Sequence, residues 1–117
     1  MPYARIISTE FKSEQDLEIA VIAWKKWYPD NMPASLSRHI VRTGDKSTMM
    51  TSVYENEELL NEAQVIAAQW WELYGHHVYE TIVFDGPTID WALSKCALII
   101  ILYKICCFAK FYDCPAL

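Results

Sequence analysis

The amino-acid sequence predicts an α+β domain with its elements in the order strand, helix, strand, strand, helix, strand. Three observations carry this expectation. Two long segments repeat apolar residues every three or four positions, as a helix with one buried face does. Shorter runs between them are rich in β-branched and aromatic residues, which suit a half-buried strand. Residues that cap, turn or stop an element separate the runs: Ser13, Pro29, Gly44, Asn56, Gly75 and "DGP" at 85–87.

Residues 3–10, "YARIISTE", read as a strand centred on Ile6 and Ile7. Ser13 then opens a helix, with Asp16 three positions later to complete the cap. Leu17, Ala20, Val21, Trp24 and Tyr28 form its apolar face, and Pro29 is expected to end it. The loop "PDNMP" (29–33) leads to strands at 35–42 and 46–54, joined by the hairpin signal "TGDK" (43–46). Asn56 caps a second helix, and Glu57 and Glu58 suit the positive end of its dipole. Its predicted stripe is Leu59, Ala63, Ile66, Trp70 and Leu73. Gly75 stands where a left-handed cap is wanted, and "HHVYETIVF" (76–84) reads as the last strand. That order is the ferredoxin-like arrangement, an antiparallel sheet with both helices on one face. The uncovered face would carry apolar residues drawn from Met49 or Met50, Ile40 or Val41, and Val83 or Phe84. A second copy of the chain is the simplest cover for such a face, so a homodimer is expected.

At 117 residues the chain has room for one modest core, and 53% hydrophobic with 21% charged residues is a folded composition. A net charge of −5 without any basic run argues against nucleic-acid binding. The start "MPYARIISTEF" lacks the pattern of a secretory signal. Residues 1–95 contain no cysteine, which fits the cytoplasm, while Cys96, Cys106, Cys107 and Cys114 crowd the end without zinc-ligand spacing. No metal site is expected. The composition changes there, so the chain divides into a domain at 1–92 and an apolar, Cys-rich extension at 93–117. Three readings of the extension stand. It is an added strand at the dimer interface, a membrane anchor, or sequence foreign to the domain, as a shifted reading frame would produce. Lys104 interrupts "CALIIILYK", and the apolar run falls short of the ~20 residues of a membrane span, so membrane association is not expected.

The stretch "MTSVYENEELLNEA" (50–63), a strand running into an acidic cap and a long helix, resembles the dimeric α+β barrel superfamily and its antibiotic-biosynthesis monooxygenase-like domains. The likeness covers about residues 3–90. It implies a homodimer whose sheets face each other and a cleft between sheet and helices in each subunit. Members include cofactor-free monooxygenases of aromatic polyketides, isomerases, haem-degrading enzymes and domains without an assigned activity. Haem-degrading members use an asparagine on the first strand, a tryptophan on the second helix and a histidine beyond it. Here the asparagines are Asn31, Asn56 and Asn61, none on that strand, so no haem or other cofactor is expected. What the resemblance implies is a cofactor-independent monooxygenase or isomerase acting on a small aromatic or polyketide-like compound. The alternative is a non-catalytic module that binds a small ligand or another protein.

Candidate site residues follow from chemistry. His39, mid-strand in "LSRHIVR" between Arg38 and Arg42, is a candidate general base if it faces the helices, and otherwise a hydrogen-bonded interface residue. Tyr54 is its candidate partner as a phenol donor. Trp71 would supply an aromatic wall and His77 a second polar contact to a ligand. His76 and His77, as strand neighbours, would point to opposite faces, so only one of them reaches the cleft. The plainer reading places Trp70 in the core stripe and the histidine pair at the surface. The sequence has no phosphate loop, nucleophile elbow or H-E-x-x-H motif.

Overall fold

A computed structural model describes residues 1–92. The 93–117 extension, and with it the expected added strand, lies outside the described residues. The elements are β1 (Tyr3–Phe11), α1 (Glu14–Asn31), β2 (Ser37–Arg42), β3 (Ser47–Tyr54), α2 (Glu57–Tyr74), a short 3-10 turn (Gly75–His77) and β4 (Val78–Pro87). The four strands form one antiparallel sheet in the order β2-β3-β1-β4, which is the ferredoxin-like topology. No described helix is long and apolar enough to cross a membrane.

Both helix starts behave as their sequences require. The Ser13 hydroxyl accepts from the Asp16 amide at 3.0 Å, and Asn56 Oδ1 accepts from the Leu59 amide at 2.9 Å. Each satisfies an amide that the first helical turn leaves without a partner. The turn between β2 and β3 carries Gly44 close to the Ser47 side chain. A Cβ on Gly44 would meet Ser47 Oγ at 2.7 Å.

Three local expectations are corrected. Pro29 does not stop α1, which runs on to Asn31. A proline in the last turn removes only its own bond to the carbonyl four residues back, and the final carbonyls find other donors. The Met32 amide donates to the Tyr28 carbonyl at 2.9 Å, and Asn31 Nδ2 donates to the Trp27 carbonyl at 2.7 Å. Gly75 is right-handed, with φ −61 and ψ −22, because a 3-10 turn continues the chain in the helical sense. His76 and His77 belong to that turn, so strand alternation does not separate them. Their rings lie 4.0 Å apart.

The buried seam of α2 is also shifted. Leu60, Ala63 and Trp70 are buried, Leu59 only partly, and Leu73 is 60% exposed. Positions 60, 63, 67, 70 and 74 keep alternating steps of three and four, so they stay on one line, which position 73 leaves. Phe11, Leu17, Ala20, Trp24 and Trp70 make the larger core cluster, while Tyr54, Leu60 and Ala63 make the smaller.

Register decides which strand residues face the helices. Ile7 pairs with Met50 and Val83, and Met50 pairs with Ile40, so these four residues share the covered face. Their neighbours Val41, Met49, Ile82 and Phe84 therefore stand on the other face, all exposed. A bulge lets Phe11 pair with Val78 rather than Tyr79, which keeps Val78 against the core and leaves Tyr79 outside.

Candidate functional site

Between sheet and helices lies a cleft of about 810 Å³, a volume suited to a small organic ligand. Its floor is the covered face of the sheet, including Ile7, Thr9, Met50, Ser52 and Tyr54. Trp24 of α1 and Trp70 and Trp71 of α2 supply the aromatic wall. Trp24 and Trp70 meet edge-on at 5.3 Å, and Trp70 and Trp71 do so at 5.1 Å. These edge-to-face contacts give each ring a definite orientation.

The indole N–H groups of Trp24 and Trp70 are both buried, and neither has an acceptor within the protein among the described residues. A buried donor left unpaired costs roughly 1–3 kcal/mol, and here there are two beside one cleft. Three buried hydroxyl residues, Thr9, Thr48 and Ser52, add polar groups to an otherwise apolar floor. Arg5 is also part of the lining, but its charge is spent. It grips Asp85 through Nε at 2.7 Å and Nη2 at 2.8 Å, and Nη2 also donates to Gln64 Oε1 at 2.9 Å.

Tyr54 and Trp71 both line this cleft. Tyr54 is 2% exposed, and its phenol oxygen accepts from Arg38 Nη2 at 2.9 Å, so its own proton is free to donate elsewhere. His39 is not with them. It pairs with Thr51 in the β2–β3 ladder, which places it on the uncovered face, exposed. The expected general base is thus removed from the cleft by strand alternation. It stands instead where the second sequence reading had it, on the face available to a partner.

His77 is likewise outside the lining. Its Nδ1 lies 2.7 Å from Asp16 Oδ1, while Ser13 Oγ donates to Asp16 Oδ2 at 2.6 Å. The hydrogen bond with His77, helped by the one from Ser13, holds the Asp16 carboxyl below its ordinary pKa. This cluster ties the start of α1 to the turn before β4. It explains His77 as a structural clasp, and the exposed His76 ring lies tilted against it.

Sequence reasoning missed the two indole donors. Trp24 and Trp70 were assigned to helical stripes, and both do sit in the core. The signal that could have singled them out is chemical: an indole N–H on an apolar face needs an acceptor, and these stripes offer none.

No protein-family model matches the chain, and no curated protein matches it in sequence. Solved structures do match its fold. A dimeric ferredoxin-like protein from an uncultured marine organism shares 14% identity, with 80% of this chain and 93% of that one aligned at a TM-score of 0.66. The monooxygenase of the gene ActVA-Orf6 of Streptomyces coelicolor, solved with nanaomycin D, shares 11% identity over 80% of this chain and 92% of that one, with a TM-score of 0.62. SnoaB, a cofactor-independent oxygenase of Streptomyces nogalater, shares 7% over 80% and 98%, also at 0.62. At such identities the likeness concerns architecture. The chain has the ferredoxin-like α+β fold of the dimeric ferredoxin-like and antibiotic-biosynthesis monooxygenase structures.

Proposed function

We propose that the chain works as a homodimer and that each cleft takes a small aromatic, polyketide-like compound, which it oxygenates without a cofactor. The observation that carries this reading is the pair of buried indole N–H groups, unpaired and set in an aromatic wall. Both N–H groups lie beneath the surface of the wall, and a small turn of each indole toward the cleft gives them the acceptor they lack, a ketone or phenol oxygen of a planar ligand. Flat rings match the tryptophan faces, and the hydroxyl floor tolerates further oxygens on the ligand.

The chemistry follows from what those donors favour. An anthrone-type substrate loses a C–H proton to give an enolate whose charge rests on oxygen. N–H groups turned toward the cleft stabilise that oxyanion more than the neutral ketone. The electron-rich enolate then reduces molecular oxygen, forming a carbon–oxygen bond to a peroxide. Loss of water from the peroxide leaves a new carbonyl, so the substrate itself supplies the electrons. With His39 on the far face, the proton passes to Glu72, a lining carboxylate without an ion-pair partner among the described residues. Tyr54 is the phenol donor and Trp71 the flanking wall.

A second reading, a binding module without catalysis, draws on one observation: neither His39 nor His77 reaches the cleft. Oxygen uptake with anthrone separates the two. Uptake above the buffer rate that falls about tenfold in Trp70→Phe supports the oxygenase, tenfold being roughly one charged-acceptor hydrogen bond. Saturable binding of anthrone without uptake supports the module. Absence of binding rejects both.

A further inference from the structure

We infer that Thr9 and Thr48 form a subsite on the cleft floor for an aromatic ring that carries two uncharged oxygens on alternate carbons. This deepens the function proposed above and rests on the cleft being the ligand site.

Register builds the subsite. Thr9 of β1 pairs with Thr48 of β3 on one side and with Thr81 of β4 on the other, and all three threonines line the cleft. The next row along the same face is apolar, with Ile7 between Met50 and Val83. Phe11 follows Thr9 in the other direction and packs in one cluster with Trp24 and Trp70, so the threonine row runs beside the tryptophan wall. Thr9 is 5% exposed and Thr48 7%. Among the described residues, the threonine hydroxyls that bond within the protein are those of Thr43 and Thr88, not these. Nor are they sealed in, as the indole nitrogens of Trp24 and Trp70 are. A hydroxyl that is neither bonded nor sealed, on a residue so deeply buried, opens onto the cleft that the residue lines.

Strand preference accounts for a threonine at these positions but not for the state of its hydroxyl. Valine has the same branched shape and suits a strand as well, whereas a buried hydroxyl without a partner costs about 1–3 kcal/mol. Facing threonines can also satisfy each other across strands, and these two do not. Their spacing says what fits. Paired residues on neighbouring strands stand roughly 5 Å apart, so the two hydroxyls offer hydrogen bonds at that interval. Oxygens on alternate carbons of a benzene ring are separated by about the same distance, and each meets one hydroxyl. Oxygens on adjacent carbons lie only about one hydrogen-bond length apart and cannot engage both in line. The row also calls for uncharged oxygens, because no free cation stands in it among the described residues. Arg42, which pairs with Thr48, is held by Glu14 and by the Gly44 and Asp45 carbonyls, and Arg5 of the lining is held by Asp85.

The test titrates two isomers into the full-length chain while the tryptophan indole signals are followed by NMR. They are naphthalene-1,3-diol, with hydroxyls on alternate carbons, and naphthalene-2,3-diol, with hydroxyls on adjacent ones. The first is expected to bind about fivefold more tightly, as for one neutral hydrogen bond. Thr9→Val and Thr48→Val are each expected to bring the two affinities together. Neither variant should lower the urea midpoint, because no hydrogen bond within the protein is lost. Equal binding of the isomers by the wild-type protein, or a reversed preference, overturns the subsite while leaving the aromatic cleft intact. A preference that survives in either valine variant overturns it too. So does a valine variant that unfolds at lower urea, by showing that the hydroxyl serves the fold. Should neither diol move the indole signals, the cleft reading fails and the subsite fails with it.

Discussion

On one face of the sheet Ile7, Thr9, Thr48, Ser52 and Tyr54 lie buried beneath the helices, whereas on the other Val41, Met49, Ile82 and Phe84 stand in the open. Both faces come from the same four strands, one residue out of phase. The covered face mixes hydroxyls with apolar groups and ends in a cleft. The open face has large apolar side chains with no described element above them, and Phe84 is 62% exposed. The difference is one of cover: the face beneath the helices encloses a cleft, and the open face sets large apolar side chains beside polar ones such as His39, apolar surface of the kind a second protein surface buries.

Substituting one residue from each face separates their roles, and the largest effect is expected on the covered side. Trp70→Ala empties the centre of the larger core cluster and should lower stability by ~3–5 kcal/mol, measured by urea denaturation. Trp70→Phe keeps a ring, removes the unpaired N–H and should cost far less. A Trp70→Phe protein as unstable as Trp70→Ala would break the claim that the N–H serves a ligand rather than the fold.

Phe84→Glu on the open face should leave each protomer folded but separate the pair. Burying a phenylalanine contributes at least ~1.5 kcal/mol, and twofold symmetry counts it twice, giving about 3 kcal/mol and a more than hundredfold weaker dimer. Sedimentation of both proteins at micromolar concentration reads this directly. A wild-type chain that sediments as a monomer would end the comparison, since the open face would then have no cover.

A smaller effect concerns the clasp at the edge of the covered face. The folded-state pKa of Asp16 is depressed, so its contribution to stability is complete above the ordinary carboxylate value and is lost as pH falls through the lowered one. Asp16→Asn should therefore flatten the decline in urea midpoint between about pH 5 and about pH 3. An unchanged acid limb would show that the contact with His77 does not couple to folding.

Least of all is expected from His39→Ala. The residue is exposed on the open face, so protomer stability should stay within about 0.5 kcal/mol and ligand affinity in the cleft should not change. Lost oxygen uptake in this variant would return His39 to the chemistry and refute the assignment by register.

The element order was legible because it depends on local causes. Ser13 and Asn56 cap because their side chains reach amides three residues on, and the stripe of Leu17, Ala20 and Trp24 follows helical geometry alone. Errors arose where a local rule met a neighbour. Pro29 was tolerated because it falls in the last turn of α1, where its missing amide costs only the bond to the Lys25 carbonyl, and His76 with His77 entered a 3-10 turn instead of a strand. Of the candidate site residues, Tyr54 and Trp71 do line the cleft, as aromatic side chains beside an interior cleft commonly do. His39 was misplaced because the choice between two strand faces is made by pairing partners distant in sequence.

The chain's own chemistry thus determined the succession of strands and helices, the caps, and the need to hide one apolar face. Only the tertiary structure decided that β1 would lie between β3 and β4, that odd residues of β1 would meet even residues of β3, and that Trp24 and Trp70 would bring two unpaired donors to one cleft. The physical reason is range. Capping and periodicity act across one or two helical turns, whereas register and hydrogen-bond satisfaction join residues that only the folded sheet brings together.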